Sequence, residues 1–239
     1  MSGRPCRPGL PCPRHLRLPP DRASRAHLID LAELADDGTS MELAFSVLGG
    51  RFVRLEPFAP ELKEEVRAAI DCDAETWAIM PINPMGAGFD AYWSAACGAA
   101  PDQRLVYAIR SLADDRVIGT STFYTSLANH GGVEIGTTFL RPEVRSSVVN
   151  PEAKLVMLAH AFGSGAVRVQ FRVDTRNQRS QAAVAKLGAV REGVLRQDRL
   201  TWTGYIRDTV YFSILSQEWP EVRARLEGRI ASMDNFRPC

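Results

Sequence analysis

Between Val133 and Thr175 the hydrophobic pattern changes its period twice, and no other feature limits so tightly what this chain can fold into. "VEIGTTFL" reads as a strand with an interior glycine. "PEAKLVMLAHAF" sets Leu155, Leu158, Ala159 and Phe162 on one helical face, and "AVRVQFRVDT" alternates with Val167, Val169, Phe171 and Val173 on one side. Upstream, "RFVRLEPF" reads as a strand, "PELKEEVRAAI" as a helix and Ala74 to Ala99 as mostly helical with a break at "PINPMGAG". "RLVYAIR" and "DRVIGTSTFY" follow as strands joined by "SLADD". Downstream come a short helix "SQAAVAKLG" closed by Gly188, then "VREGVLRQDRLTW", a turn at Thr203 and Gly204, the strand "YIRDTVYFSIL" and the helix "EWPEVRARLEGRI". Antiparallel strands followed by a strand, helix, strand, helix, strand core predict an α+β fold around one mixed, mostly antiparallel central sheet flanked by helices.

The 239 residues suit one large domain, and 45% hydrophobic with 24% charged residues can bury a sizeable core. A net charge of +1 gives no reason to expect a nucleic-acid partner. No apolar run approaches the roughly 18 residues of a membrane span and no secretory signal is evident, so no membrane association and a cytoplasmic location are expected. Cys6, Cys12, Cys72, Cys97 and Cys239 are scattered without paired spacing, which predicts free thiols and no metal site. Residues 1–40, crowded with proline and arginine, are expected to be a disordered or misassigned extension, with Met41 standing at the head of a single domain over residues 41–239.

In "RPEVRSSVVNPEAK" Asn150 suits a helix cap and Pro151 the first helical position. A helix N-terminus offers unpaired N–H groups and the positive end of a dipole; Ser146, Ser147 and Arg145 would add donors and charge for a phosphate group. Gly136 interrupts its strand, as glycines do at bulges or where a ligand approaches the backbone. Asn177 and Ser180 stand at the start of the next helix, able to cap it or to reach a ligand between the two helix N-termini. Neither G-x-G-x-x-G nor G-x-x-x-x-G-K-[ST] occurs, which argues against dinucleotide and P-loop sites.

The ordered set "VEIGTTFL", "RSSVVN", "PEAKLVMLAHAF", "VRVQFRVDT" and "RNQRSQAAVAKLGAVREGVLR", with the late "RDTVYFSIL", resembles the GNAT superfamily of acyl-CoA N-acyltransferases and within it the RimJ/RimL-like N-acetyltransferases, over about residues 48 to 230. The resemblance implies a GNAT-like fold in which acetyl-CoA lies between Val133–Leu140 and Val167–Thr175. It implies that Thr138, Phe139 and Leu140 bind pantetheine, and that Arg145, Ser146, Ser147, Val148, Val149 and Asn150 cradle the pyrophosphate. Asn177 and Ser180 would stand beside the thiol end. Where the family's loop usually has small residues, this chain has Val148 and Asn150.

Ser180 is the candidate proton donor to the departing thiolate and Glu134 the candidate base, with a strand N–H near Phe139 stabilising the oxyanion. A RimL-type glutamate would fall in "RQDRL", where this chain has Asp198 and Arg199. Trp77, Met80, Phe89, Tyr92 and Trp93 would wall the acceptor pocket or form helical core; His130 and His160 read as a loop and a packing residue. The implied partners are acetyl-CoA and a primary amine, either a small molecule or a protein N-terminus, acting on a monomer or homodimer by direct attack in a ternary complex. The alternative is a non-catalytic CoA-binding sensor of the same fold.

Overall fold

The computed structural model describes Met41 and residues 43–125 and 127–235. The extension expected over residues 1–40 lies outside them, as do Cys6, Cys12 and Cys239; Cys72 and Cys97 are free thiols. The first half of the chain forms β1 (Leu48–Gly49), β2 (Val53–Pro57), α1 (Lys63–Ile70), α2 (Ala74–Ala78), α3 (Phe89–Cys97), β3 (Arg104–Ser111), β4 (Arg116–Tyr124) and β5 (Gly132–Leu140). There follow α4 (Val149–Gly163), β6 (Arg168–Asp174), α5 (Gln178–Ala185), β7 (Val190–Leu200), β8 (Ile206–Leu215) and α6 (Trp219–Asn235).

All eight strands join one sheet in the order β1-β2-β3-β4-β5-β6-β8-β7. Only β5 and β6 run parallel; every other neighbouring pair is antiparallel. The α+β fold with a mixed sheet is therefore as expected. Adjacent strand residues point to opposite faces. Ile109 and Ile118 accordingly join a large core with Met157 and Leu158 of α4 and with Val222 and Leu226 of α6. Ala108 and Val117 join a second core on the other face, with Val66 and Ile70 of α1, Trp77 of α2 and Trp93 of α3.

Two readings of the central region are corrected. The buried face of α4 is Ala153, Lys154, Met157, Leu158 and Ala161, whereas Ala159 is exposed. The apolar stripe thus contains a lysine, and an assignment by hydrophobicity rotates the helix to avoid it. Val167 is also exposed, because it precedes β6 in the tight connection where its N–H donates to Gly131 O at 2.7 Å.

The start of α4 is fastened to the sheet by Glu152. Its buried carboxylate accepts the N–H groups of Arg51 at 2.8 Å, Phe52 at 2.6 Å and Val53 at 2.8 Å, which closes the turn between β1 and β2. A Cβ on Gly50 would come within 2.6 Å of that carboxylate, so the turn needs glycine there for closeness of approach.

Candidate active site

Strands β5 and β6 are paired over only three residue pairs, Gly132–Arg168, Val133–Val169 and Glu134–Gln170. Beyond Glu134 they part. β6 continues along β8 as far as Asp174–Thr209, while β5 continues along β4 through a bulge opposite Thr120 to Thr122, where Thr137 takes a left-handed φ of 44°. A bulge bends its strand and increases the twist, and here the backbone groups of β5 that face β6 lose their ladder partners after residue 134. The gap opens into a cavity of about 420 Å³.

Of the residues expected on the cofactor side, Thr138, Phe139, Leu140, Arg145, Ser146, Ser147, Asn150, Asn177 and Ser180 all line this cavity. Val148 and Val149 do not; both are buried, and Val149 belongs to the large core. The helix start also differs from the expected cap at Asn150. Val149 is the first helical residue, and its N–H donates to Ser147 Oγ at 3.2 Å while that hydroxyl donates to Val144 O at 2.6 Å. Pro151 is tolerated in this first turn because its missing N–H would have had no intrahelical acceptor. Val148 has φ −64° and ψ −19°. That conformation suits any L-residue, so the backbone has no need of glycine at this point; the left-handed step falls on Ser146 at φ 60°.

Arg145 reaches from this loop to α2. Its guanidinium donates to Leu140 O at 2.9 Å and to Thr76 Oγ1 at 3.2 Å, and it pairs with Asp73. Asp73 also caps α2 through Thr76 N–H. On the opposite wall Asn177 Oδ1 accepts Ser180 N–H at 3.0 Å, so Asn177 is the cap of α5. Ser180 Oγ has no hydrogen-bond partner among the described residues and faces the cavity.

Basic side chains dominate the walls. Arg145, Lys154, Arg172, Arg179, Lys186, Arg207 and Arg229 line the cavity against the single carboxylate of Asp174, which is itself bound by Arg176 at 2.7 Å. Lys154 is 4% exposed, and its ammonium meets only Ser121 Oγ at 3.0 Å, Thr138 Oγ1 at 2.5 Å and the sulfur of Met157. With no carboxylate to offset it, burial pushes this lysine down to about 7. Arg207 is 5% exposed, with Nε donating to Thr209 Oγ1 at 3.0 Å. Burial, followed by the nearby charge of Arg199, pulls it below the usual arginine value. Sequence reasoning missed both cations, since Lys and Arg in a strand or helix ordinarily read as solvated.

Glu134 is buried beside the cavity, and its Oε2 lies 2.6 Å from Arg172 Nε. It is absent from the cavity lining, and the arginine is what presents to the cavity. The missing side chain of Gly136 leaves room for this pair, because a Cβ there would lie 2.9 Å from Glu134 Oε1. Of the five residues expected at an acceptor wall, only Met80 lines the cavity. Trp77, Phe89 and Trp93 are enclosed in the second core, where Tyr92 packs against them; Trp77 stacks on Phe139 at 4.8 Å. Asp198, next to the expected glutamate position, lies in a bulge between Leu195 and Arg199 with Oδ2 buried and without a partner, and Arg199 stands opposite Arg207. His160 Nε2 donates to Ala44 O at 3.1 Å, and His130 is exposed. No group of three or more His, Cys, Asp or Glu side chains is placed to hold a metal ion, and no helix is long and apolar enough to cross a membrane, among the described residues.

A sheet that parts after one short parallel pairing, with a helix N-terminus and basic walls at the gap, offers a cleft suited to an anionic ligand. A family model for acetyltransferase (GNAT) domains matches residues 53–190, more than half of the chain. The chain belongs to the GNAT acetyltransferase family and is an N-acetyltransferase. A T. thermophilus protein described as a candidate acetyltransferase is 39% identical, with 79% of this chain and 99% of that one covered at a TM-score of 0.69. A GCN5-related N-acetyltransferase from Brucella melitensis is 26% identical, with 84% and 92% covered at a TM-score of 0.75. Mycobacterium smegmatis RimJ, solved in complex with CoA-disulfide, shares the fold at 20% identity and a TM-score of 0.65, with 78% and 92% covered. A search of curated proteins gives no match.

Proposed function

We propose that the cavity between β5 and β6 binds acetyl-CoA and that the chain transfers the acetyl group to a primary amine. The observation that carries this reading is the gap itself: a strand edge with unpaired amide groups that ends at the Ser146–Ser147 loop and the first turn of α4. An extended donor with amides and phosphates matches both features. Thr138 to Leu140 would hold its amide portion, and Ser146, Ser147 and the first N–H groups of α4 its phosphates. When bound, acetyl-CoA supplies an activated acetyl thioester. Ser180 Oγ, unpartnered, would pass its proton to the thiolate that leaves as the C–S bond breaks, whose pKa near 8.5 needs little assistance, and would take in its place the proton that the newly acylated nitrogen loses. A strand N–H near Phe139 would steady the negative oxygen. Glu134 is engaged by Arg172, so its part is to fix that guanidinium, and an amine attacks in the neutral form that it reaches in solution. An α-amine with a pKa of about 8 is then favoured over a lysine at about 10.4. The test is release of free thiol from acetyl-CoA across a panel of small amines and peptides. Turnover that rises with pH to a plateau above about 8 for α-amines supports this reading, and a panel without thiol release overturns it.

A further inference from the structure

We propose that Arg207 is the specificity determinant for an acceptor that carries a carboxylate near its amino group. Arg207 is 5% exposed, lines the cavity, and makes one hydrogen bond, from Nε to Thr209 Oγ1, which leaves both Nη groups without a partner among the described residues. Among the described residues no carboxylate forms an ion pair with it. Asp174, which lies opposite Thr209 at the end of β6, is taken by Arg176 through both its oxygens, and Glu134 is taken by Arg172. Asp174 and Asp198 act on Arg207 through space, without an ion pair. Arg199 stands directly opposite in the ladder and adds a second positive charge. A largely buried guanidinium with no carboxylate within ion-pair distance gains from a ligand that supplies the anion, and its planar pair of Nη groups matches a carboxylate in two parallel hydrogen bonds.

The position assigns the anion to the acceptor. The loop expected to take phosphate follows β5, whereas Arg207 sits at the start of β8, beyond the end of β6 on the other side of the gap. Trp202, in the connection leading to β8, donates from Nε1 to Trp77 O of α2 at 2.8 Å, which ties this connection to the helix that precedes Met80, a residue of the cavity wall. Acceptors of this class are free amino acids and peptides whose first residue is acidic. The carboxylate is common to both, and the assay separates them.

This inference rests on the proposed amine transfer but is tested apart from it. Amino acids would be compared with their carboxamides, and peptides beginning with Asp or Glu with those beginning with Asn or Gln, both by thiol release and by calorimetric binding to the protein saturated with CoA. The carboxylate member of at least one series should be favoured by about 100-fold or more in kcat/KM and in affinity, because a buried polar group left unpaired rejects the analogue that lacks its partner. Arg207→Gln should reduce that ratio below about 10 through KM, Arg207→Lys should restore part of it, and CoA affinity should stay within about threefold. Equal handling of carboxylates and carboxamides by the unaltered protein overturns the inference, as does a loss of CoA affinity in Arg207→Gln with the acceptor ratio unchanged. If no compound releases thiol, the amine transfer fails, and the binding comparison still decides whether Arg207 recognises a carboxylate.

Discussion

Lys154 shows what a single buried amine does to this fold. In the unfolded chain its pKa is near 10.5, and in the fold it is about 7. Between those values the unfolded chain binds the extra proton, so stability conferred by this residue rises with pH through that window and is lost as pH falls toward 7. We expect the difference in unfolding free energy between the unaltered protein and Lys154→Met to change by about 1.4 kcal/mol per pH unit between about pH 7 and 10. Urea midpoints measured at pH 7 and pH 9 check this, and parallel curves would show that the amine is not held neutral. Ser180 offers a cleaner chemical test, because its hydroxyl supports no other group through a bond of its own. Ser180→Ala should lower the rate of thiol release by tenfold or more while CoA affinity measured by calorimetry changes little, since a proton donor contributes on the order of 100-fold or more to such a step.

Among the elements, α4 carries the most consequences. It is fixed at one end by Glu152, which accepts three N–H groups of the β1–β2 turn, of which that of Val53 is buried. Glu152→Ala takes this acceptor from the buried Val53 N–H, and a buried unsatisfied group costs about 1–3 kcal/mol. The substitution should lower the unfolding free energy by about 1–3 kcal/mol, with Glu152→Gln intermediate; chemical denaturation reads both. The elements were legible in the sequence because their periods are clean: every strand expected along the chain forms, while α5 ends at Ala185 with Lys186 as its cap and Gly188 takes its left-handed φ of 102° in the turn beyond. What could not be read lies where a polar residue occupies an apolar position or where partners are far apart in sequence. Lys154 in the buried stripe turned the assigned face of α4, and nothing local marks Glu152 as the acceptor for residues 51–53. The expected cap at Asn150 gives way because the helix begins earlier, at Val149, with Val148 in the cap position and Ser147 Oγ accepting the first helical N–H. The aromatic residues of α2 and α3 were undecidable, since a wall and a core ask for the same side chains. The cavity itself was legible in outline from Thr138 to Ser180, and Arg207 was not, because a lone arginine in a strand carries no sign of being buried.

At the scale of the whole molecule, a net charge of +1 conceals a cavity with seven bases and one acid. Affinity for CoA should therefore fall as salt is raised, as it does for ion pairing that is partly screened. Acetyl-CoA at about 100 times its Kd should add about 2.7 kcal/mol of stability and raise Tm by roughly 5–10 °C. A Tm unmoved at millimolar ligand would count against binding. The short parallel pairing of β5 and β6 has a further consequence for solvent exchange. Arg141 N–H donates toward β4, to Ile118 O at 2.9 Å, so by alternation the neighbouring amide of Leu140 points into the gap. In deuterated water the amide of Leu140 should exchange rapidly in the free protein while that of Arg141 stays protected. Saturation with CoA should slow Leu140 and leave Arg141 unchanged, as the ligand takes the place of a missing strand beside the last residues of β5.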